Sequence, residues 1–380
     1  MSSSRFADRR IYRMLSPDRI ESGAGTVNQV PKIMDRLRAE RIVLATSKSL
    51  VSKTPYIEML ERLLPDKKVT VFAECRQHSP ETDIDRLASV ISSKNSDAVL
   101  SIGGSSVFDA VKVATSRVAD QNGKEPISQV AIPTTLSAGE FTPGAGYTEA
   151  STNAKKLVLD PRVAPSCVIL DPEMTHHTPL DLWLATGIKA LDHACEAIWS
   201  KRPHPYVDAL ALEAIRLLVQ NLPLSREKDN LDARAACQLG AWMSIAGVGA
   251  SGMRLSHFLG HQIGAHMHLP HGITSCILLP AVMRHLRDET LDAQCRIADA
   301  MDLETRGLTP AEAADLAADN LQDFIRELDL PTTISEAGGT LADIDTVARS
   351  SFEAATLLGL TADLPSGESS VRDVLMKAWV

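Results

Sequence analysis

The chain has 380 residues, enough for two domains that each bury a core. Hydrophobic residues make up 44% and charged residues 23%, the balance of an ordinary soluble globular protein, while aromatics at 4% leave little for a base-stacking surface. With 39 basic against 48 acidic residues the net charge is -9 and no basic stripe interrupts it, so nucleic acid would be repelled.

The six cysteines, at 75, 167, 195, 237, 276 and 295, never form a CxxC pair and read as free thiols of a reducing compartment. The opening MSSSRFADRRIYRM has no apolar core, and no stretch approaches the ~18 uninterrupted apolar residues of a membrane span. The expectation is a cytoplasmic protein.

In chain order, RIESGAGTV at 19 to 27 reads as a short strand and turn, followed by a helix to about Ala39. Ile42 to Ala45 form the continuous apolar run of a buried parallel strand. A helix from about Pro55 to Leu64, a strand at KVTVFAE, a helix from about Glu81 to Ser92 and a strand at DAVLSI follow. This alternation predicts a doubly wound parallel sheet whose ligands gather at the carboxyl ends of its strands.

Directly after the strand Asp97 to Ile102 stands GGSSVFDAVKVA. Gly103 and Gly104 let the backbone pass close to a ligand, Ser105 and Ser106 can cap the helix, and the helix N-terminus adds N–H groups and partial positive charge suited to phosphate. An ordinary strand-to-helix turn is the alternative. The next strand, QVAIP, ends in TTLSAGEFTPGAGYT, where Thr134, Thr135, Ser137 and Thr142 suit a diphosphate or ribose, or else line a plain polar loop. Lys155 and Lys156 precede a strand-like VLDPRVAPSCVILDP.

After Pro172 the pattern turns helical. Thr178 and Pro179 open a helix containing WLATGIKALDHACEAIWS. Further helices are predicted over Pro205 to Gln220, Ala233 to Val248, Ser275 to Met283, Thr290 to Met301 and from Thr309-Pro310 to about Leu328, with two shorter ones after them. The predicted organisation is an α/β domain with a parallel sheet over 1–178 and an all-helical domain over 179–380.

The segment HFLGHQIGAHMHLPHG holds five of the eleven histidines, at 257, 261, 266, 268 and 271. His257 and His261 are four apart and share a helix face. Gly264 and Pro270 break the periodicity, so His271 is expected to return from a turn toward the same point, with His266 and His268 as surface or turn residues. Gathered imidazoles suit metal ligation or proton transfer near neutral pH. Lys189 and His193 also share one helix face, with Glu196 a further turn along. A lysine on such a face, if buried, wants an anion; an exposed lysine beside a core histidine is the alternative.

GGSS-x-x-DAVK at 103 to 112, PTTLSAGEFT at 133 to 142, DPRVAP at 160 to 165, KALDHACEA from Lys189 and H-x-x-x-H…PHG at 257 to 272 occur in this order. Together they resemble the iron-containing alcohol dehydrogenase family over nearly the whole chain. The resemblance implies a dinucleotide-binding domain, a helical domain and a cleft between them, a fold shared with dehydroquinate synthase. Metal-dependent members carry an aspartate four residues before the first ligand histidine, where this chain has Lys189. The other ligand positions correspond to His193, His257 and His271. A cation in place of the carboxylate replaces attraction by repulsion, so no metal is expected. The loop before Glu140 is one residue shorter than in most alcohol dehydrogenases of the family, which is similar to the maleylacetate reductase branch. Near the end, Asp363-Leu364-Pro365-Ser366 stands where an Asn-Pro is common.

The implied function is NAD(P)H-dependent reduction of an oxo-acid or aldehyde; the alternative is an iron- or zinc-dependent alcohol dehydrogenase of the same family. Gly103, Gly104 and Ser105 would hold the diphosphate, with Asp109, Thr134 and Lys156 nearby. Lys189 would take a substrate carboxylate or polarise a carbonyl, His261 and His271 would donate or relay the proton, and His193 and His257 would line the pocket. Ser47 and Lys48 follow the strand where an acidic residue would select NAD, so NADPH is expected to be tolerated. A lyase like dehydroquinate synthase and a non-catalytic dinucleotide sensor remain as rivals, and a homodimer is expected from the family.

Overall fold

The computed structural model describes residues 17–152, 154–202, 204–247, 255–267, 269–358, 361, 364 and 366–379. The opening segment to residue 16, His268, Asp363 and Pro365 lie outside the described residues, as does the side chain of His271.

Six strands form one parallel sheet: β1 (Arg19–Ser22), β2 (Arg41–Ala45), β3 (Lys68–Phe72), β4 (Ala98–Gly103), β5 (Ser128–Pro133) and β8 (Cys167–Leu170), in the order β1-β8-β5-β4-β2-β3. Residues of β2, β4 and β5 are almost all buried because helices cover both faces, which is why these segments read as unbroken apolar runs. On one face Val30, Ile33 and Met34 of α1 (Val30–Arg36) and Tyr56, Ile57 and Leu60 of α3 (Tyr56–Leu63) pack on Ile42, Leu44, Leu100 and Ile102. On the other, Ile84, Leu87 and Ile91 of α4 (Glu81–Ser93) and Val107 and Val111 of α5 (Ser105–Asn122) pack on Val43, Ala45 and Val99.

From β2 the chain moves outward to β3, and from β4 it moves the other way to β5. The carboxyl ends of β2 and β4 therefore flank a crevice of the kind that receives a dinucleotide in open α/β sheets. Ser47 stands on one side of it and Gly103 on the other, and Thr46 Oγ1 donates to the Ile102 carbonyl between them at 3.0 Å.

Three local expectations change. The helix expected from Val27 starts as a 3-10 turn at Thr26–Gln29 and becomes α-helical only at Val30. A short α2 (Lys48–Lys53) precedes α3, capped by Ser47 Oγ, which accepts from Leu50 N at 3.4 Å. The end of the expected loop, Gly144–Thr148, is β6, which forms a separate antiparallel hairpin with β7 (Lys155–Leu159), so the strand-like segment expected after Lys155 and Lys156 divides between β7 and β8.

The helical part begins with α6 (Leu180–Ile198) and continues through α7 (Pro205–Asn221), α8 (Leu231–Ser244), α9 (Leu255–Met267), α10 (His271–His285), α11 (Leu291–Ala300), α12 (Pro310–Glu327), α13 (Leu341–Leu358) and α14 (Glu368–Lys377). Its core centres on α6, where Trp183, Ile188, Leu191 and Cys195 meet Leu259, Ile263, Cys276 and Leu279. Gly264 does not interrupt α9, and His271 is the first residue of α10 after Pro270; the chain turns between the two helices, later than expected. Polar bonds stitch the halves together, among them Leu136 N to Thr186 Oγ1 (3.1 Å) and Arg234 Nη1 to Thr175 Oγ1 (2.7 Å), and at their junction Thr178 Oγ1 donates to the Thr134 carbonyl (2.7 Å). Among the described residues no helix is long and apolar enough to cross a membrane.

Candidate active site

Gly103 ends β4 with φ +151, and a Cβ there would lie 2.7 Å from Val107 Cγ2, so the sharp entry into α5 needs glycine. Gly104 precedes α5 without a side-chain cap, which leaves the first N–H groups of an 18-residue helix at the crevice. A chain of hydroxyls borders them: Ser105 Oγ donates to Ser137 Oγ at 2.7 Å, and Thr135 Oγ1 lies 2.9 Å from Ser137 Oγ. Gly139 must be small as well, because a Cβ on it would fall 2.5 Å from Ser105 Oγ. Thr134 N donates to the Gly103 carbonyl at 2.9 Å, which ties the two strand ends together. Thr142 spends its hydroxyl on the Gly139 and Gly144 carbonyls (3.3 and 3.2 Å), shaping the loop.

Behind this loop lies a buried group of charges. Lys112 is fully buried and donates to the Gly139 and Gly144 carbonyls at 2.6 and 2.9 Å, with Asp109 Oδ1 3.9 Å away. Asp109 Oδ2 accepts the Gly146 N–H at 3.1 Å. Burial pushes the Asp109 carboxyl up, against the pull of Lys112, that N–H, Lys155 and Lys189. Glu140 is buried beside them, and loss of hydration raises it to about 7.

The imidazoles collect on the other side of the cleft. His193 of α6 and His257 of α9 have ring centroids 5.0 Å apart, and His257 and His261 are 4.8 Å apart and steeply tilted. The Nε2 atoms of His257 and His261 lie 3.2 Å from each other. Glu196 Oε1 accepts the His257 N–H at 3.2 Å, fixing the first turn of α9 on α6. Burial keeps both inner rings neutral: it holds His193 far below the usual imidazole range, with help from His257 and Lys189, and it takes His257 down to about 3, with help from Lys189 and Lys155. Lys189 sits one turn before His193, its own pKa lowered by burial and supported by the charges of Asp109, Asp192 and Glu140. Asp192 is buried, accepts from Ser275 Oγ at 2.8 Å and is raised by burial to about 6.

Lys189, His193, His257 and His261 thus converge with Asp109 at one cleft, while Gly103, Gly104, Ser105, Thr135 and Ser137 form the adjoining crevice. His266 faces outward, bonded to the Gln262 carbonyl at 3.1 Å. Lys156 does not join the cleft: strand alternation sends it to the opposite face of the hairpin, where it pairs with Glu149 at 3.6 Å. Lys155 is the lysine that turns inward, its Nζ 3.2 Å from His261 Nδ1. Burial first and the Lys189 charge second lower Lys155 to about 8. Lys155, Glu140, Lys112 and Asp192 are the charged groups that sequence reasoning did not place here. For the lysines the signal was available, since adjacent residues in a strand face opposite ways.

A crevice at the strand ends of a parallel sheet, opening onto imidazoles of a helical domain, is an arrangement suited to a pyridine-nucleotide dehydrogenase. The chain matches the family described as iron-containing alcohol dehydrogenase over residues 17–172 and the C-terminal domain of the same family over 183–375, and it belongs to that family. It is 28% identical over 369 residues to a maleylacetate reductase of Rhizobium sp., covering 96% of each chain. It is 29% identical over 345 residues to an NAD-dependent methanol dehydrogenase of Bacillus methanolicus, covering 87% of this chain and 91% of that one. The crystal structure of a maleylacetate reductase from Agrobacterium tumefaciens superposes with a TM-score of 0.82 at 26% identity, over 98% of this chain and 99% of the other. The likeness therefore extends to the maleylacetate reductase branch, and the chain is a dehydrogenase or reductase of this family.

Proposed function

We propose that this enzyme reduces an oxo-acid or aldehyde at the expense of NADPH or NADH, with Lys189 doing the electrostatic work and no resident divalent metal. The observation that carries the reading is the Lys189 ammonium beside the neutral rings of His193 and His257.

A dinucleotide fits the residues present. The uncapped start of α5 suits a diphosphate, which Ser105, Thr135 and Ser137, packed against Gly104 and Gly139, can hydrogen-bond. The bound nicotinamide supplies the hydride. Lys189 holds the substrate carboxylate or draws electron density from the carbonyl oxygen, where negative charge grows during reduction. Burial lowers the pKa of that amine, and the charges of Asp109, Asp192 and Glu140 oppose the shift. His261 and His271 are assigned to proton delivery, and His193 and His257 wall the pocket.

A divalent cation fits poorly, because a fixed positive charge stands where a fourth, anionic ligand belongs. One observation favours the rival metal-dependent alcohol dehydrogenase: the buried His193 Nδ1 has no hydrogen-bond partner among the described residues. Oxidation of NADPH followed over a panel of oxo-acids and aldehydes, with and without EDTA, separates the two. The proposal expects reduction that EDTA leaves unchanged. It also expects Lys189→Ala to lose about 100-fold or more in turnover, within the span of removed transition-state donors, with an unaltered circular dichroism spectrum. Normal turnover in Lys189→Ala, or activity that follows stoichiometric metal, would overturn it.

A further inference from the structure

The loop after β5 has contacts in both halves of the molecule. Thr135 and Ser137 join the hydroxyl chain at the crevice, while Leu136 between them is fully buried and belongs to the core of the helical half. A seat is cut for it in α6. A Cβ on Gly187 would lie 3.2 Å from Leu136 Cδ1 and collide with Leu222, so a residue that is a poor choice for the middle of a helix is what leaves room for both leucines.

The Leu136 N–H is the polar part of this plug, and burial obliges it to find an acceptor. Thr186 Oγ1 is that acceptor, at 3.1 Å. The hydrogen of the Thr186 hydroxyl is taken by carbonyls of its own helix, Leu182 at 2.8 Å and Trp183 at 3.0 Å, which leaves the oxygen lone pairs to Leu136. Two residues earlier in the loop, Thr178 Oγ1 holds the Thr134 carbonyl at 2.7 Å. On the crevice side Ser105 Oγ donates to Ser137 Oγ, and the Ser137 and Thr135 hydroxyls share a further bond. Whichever of those two donates in it, one hydroxyl hydrogen is left to give to an oxygen in the crevice.

From this geometry we infer that Thr186 is a positioning residue for the cofactor: it seats Leu136 in the helical half and thereby holds Thr135 and Ser137 where they bond the diphosphate. The inference rests on the dinucleotide reading above and adds to it a residue of the opposite half that acts through Leu136. Cofactor affinity is then set in part by a bond made behind the crevice.

Thr186→Val in the full chain removes the acceptor and keeps the branched shape, whereas Thr186→Ser keeps the acceptor. Binding is read by calorimetry with ADP, which carries a diphosphate and no nicotinamide, and by the fluorescence of NADPH. Thr186→Val is expected to weaken both by about 10-fold, the effect of a buried donor left without its acceptor, while Thr186→Ser stays within about 3-fold of the wild type. In turnover the KM for NADPH should rise by a similar factor with kcat at saturating NADPH nearly unchanged. Leu136→Ala should weaken ADP as well, and the double variant should lose little more than the greater single loss, because both changes act on one seat. Should Thr186→Val fail to fold, Leu136→Val carries the same comparison of ADP and NADPH affinity. A lowered thermal midpoint with unchanged affinity for ADP and NADPH, a fall in kcat with the NADPH KM unchanged, or fully additive losses in the double variant overturns the proposal. A wild type that binds neither ADP nor NADPH defeats the dinucleotide reading along with it. A wild type that binds both, matched by Thr186→Val, defeats this inference alone.

Discussion

A Cβ on Gly272 would lie 2.8 Å from the carbonyl carbon and oxygen of Ala185, so the first turn of α10 rests directly on the backbone of α6. That contact sets the spacing between the helix opened by His271 and the helix carrying Lys189 and His193. Backbone atoms cannot rotate aside, so Gly272→Ala must push the helices apart. Overpacking of this kind costs about 1–3 kcal/mol. Thermal denaturation should show a lowered midpoint and turnover should fall with it, because the displaced helix carries part of the cleft. A midpoint equal to that of the wild type would mean that α10 is not seated on α6 as described.

Much of this arrangement is legible in the amino-acid sequence because burial imposes periodicity. The runs Ile42–Ala45 and Ala98–Ile102 announce central strands, Thr178-Pro179 announces the first long helix, and the four-residue steps of Lys189 to His193 and His257 to His261 announce shared faces. The hairpin escaped notice because GAGYT and KKLVL are short, contain two glycines and two lysines, and bury only one face. With the hairpin unseen, Lys155 and Lys156 had no alternation to separate them. Glu140, Lys112 and Asp192 raise a different difficulty. Their chemistry depends on how completely the loop 134–144 is packed under α5 and α6, which is a property of tertiary contacts that no local pattern encodes.

Ser47 caps α2 from the carboxyl end of β2, across the crevice from Gly103. An aspartate is an equally good cap, so Ser47→Asp should leave α2 intact while placing a carboxylate where the ribose hydroxyl or 2'-phosphate lies. Repulsion of the phosphate should lower kcat/KM for NADPH by about 10-fold or more relative to NADH, a shift of about 1.4 kcal/mol. Initial rates with the two reduced cofactors provide the measurement. A wild type restricted to NADH, or a variant with an unchanged ratio, would contradict this assignment of the cofactor's adenosine end.

Glu140 ties stability to pH. Its folded-state pKa is raised from 4.5 to about 7, so between those values the native protein binds more protons than the unfolded chain. Stability from this group is therefore complete below pH 4.5, falls as pH rises through that window and levels off above about 7. The span corresponds to a contribution of order 3 kcal/mol. Glu140→Gln keeps the shape and removes the titration. Denaturant melts of both proteins from pH 4 to 8 should show the variant gaining on the wild type from pH 4.5 to 7 and holding a constant difference above. A difference independent of pH would show that the Glu140 carboxyl is hydrated in solution.

Lys189→Asp reverses the charge at the position on which the proposed metal-free reading rests. In the native protein the ammonium lowers the proton affinity of His193 and His257, and it would repel a divalent cation for the same reason. A carboxylate there would attract the cation and add an oxygen donor to the imidazoles. Zinc or cobalt titrated into the chelator-treated variant should bind with about one ion per chain, visible by calorimetry and, for cobalt, by its absorption spectrum. The native protein should bind neither at comparable concentration. Because Asp109 and Asp192 would then lack the charge that offsets their burial, apo Lys189→Asp should also be less stable than the native protein, and metal should restore the difference through linkage. If the native enzyme binds the ion as tightly as the variant, the charge at position 189 is not what governs metal affinity in this cleft.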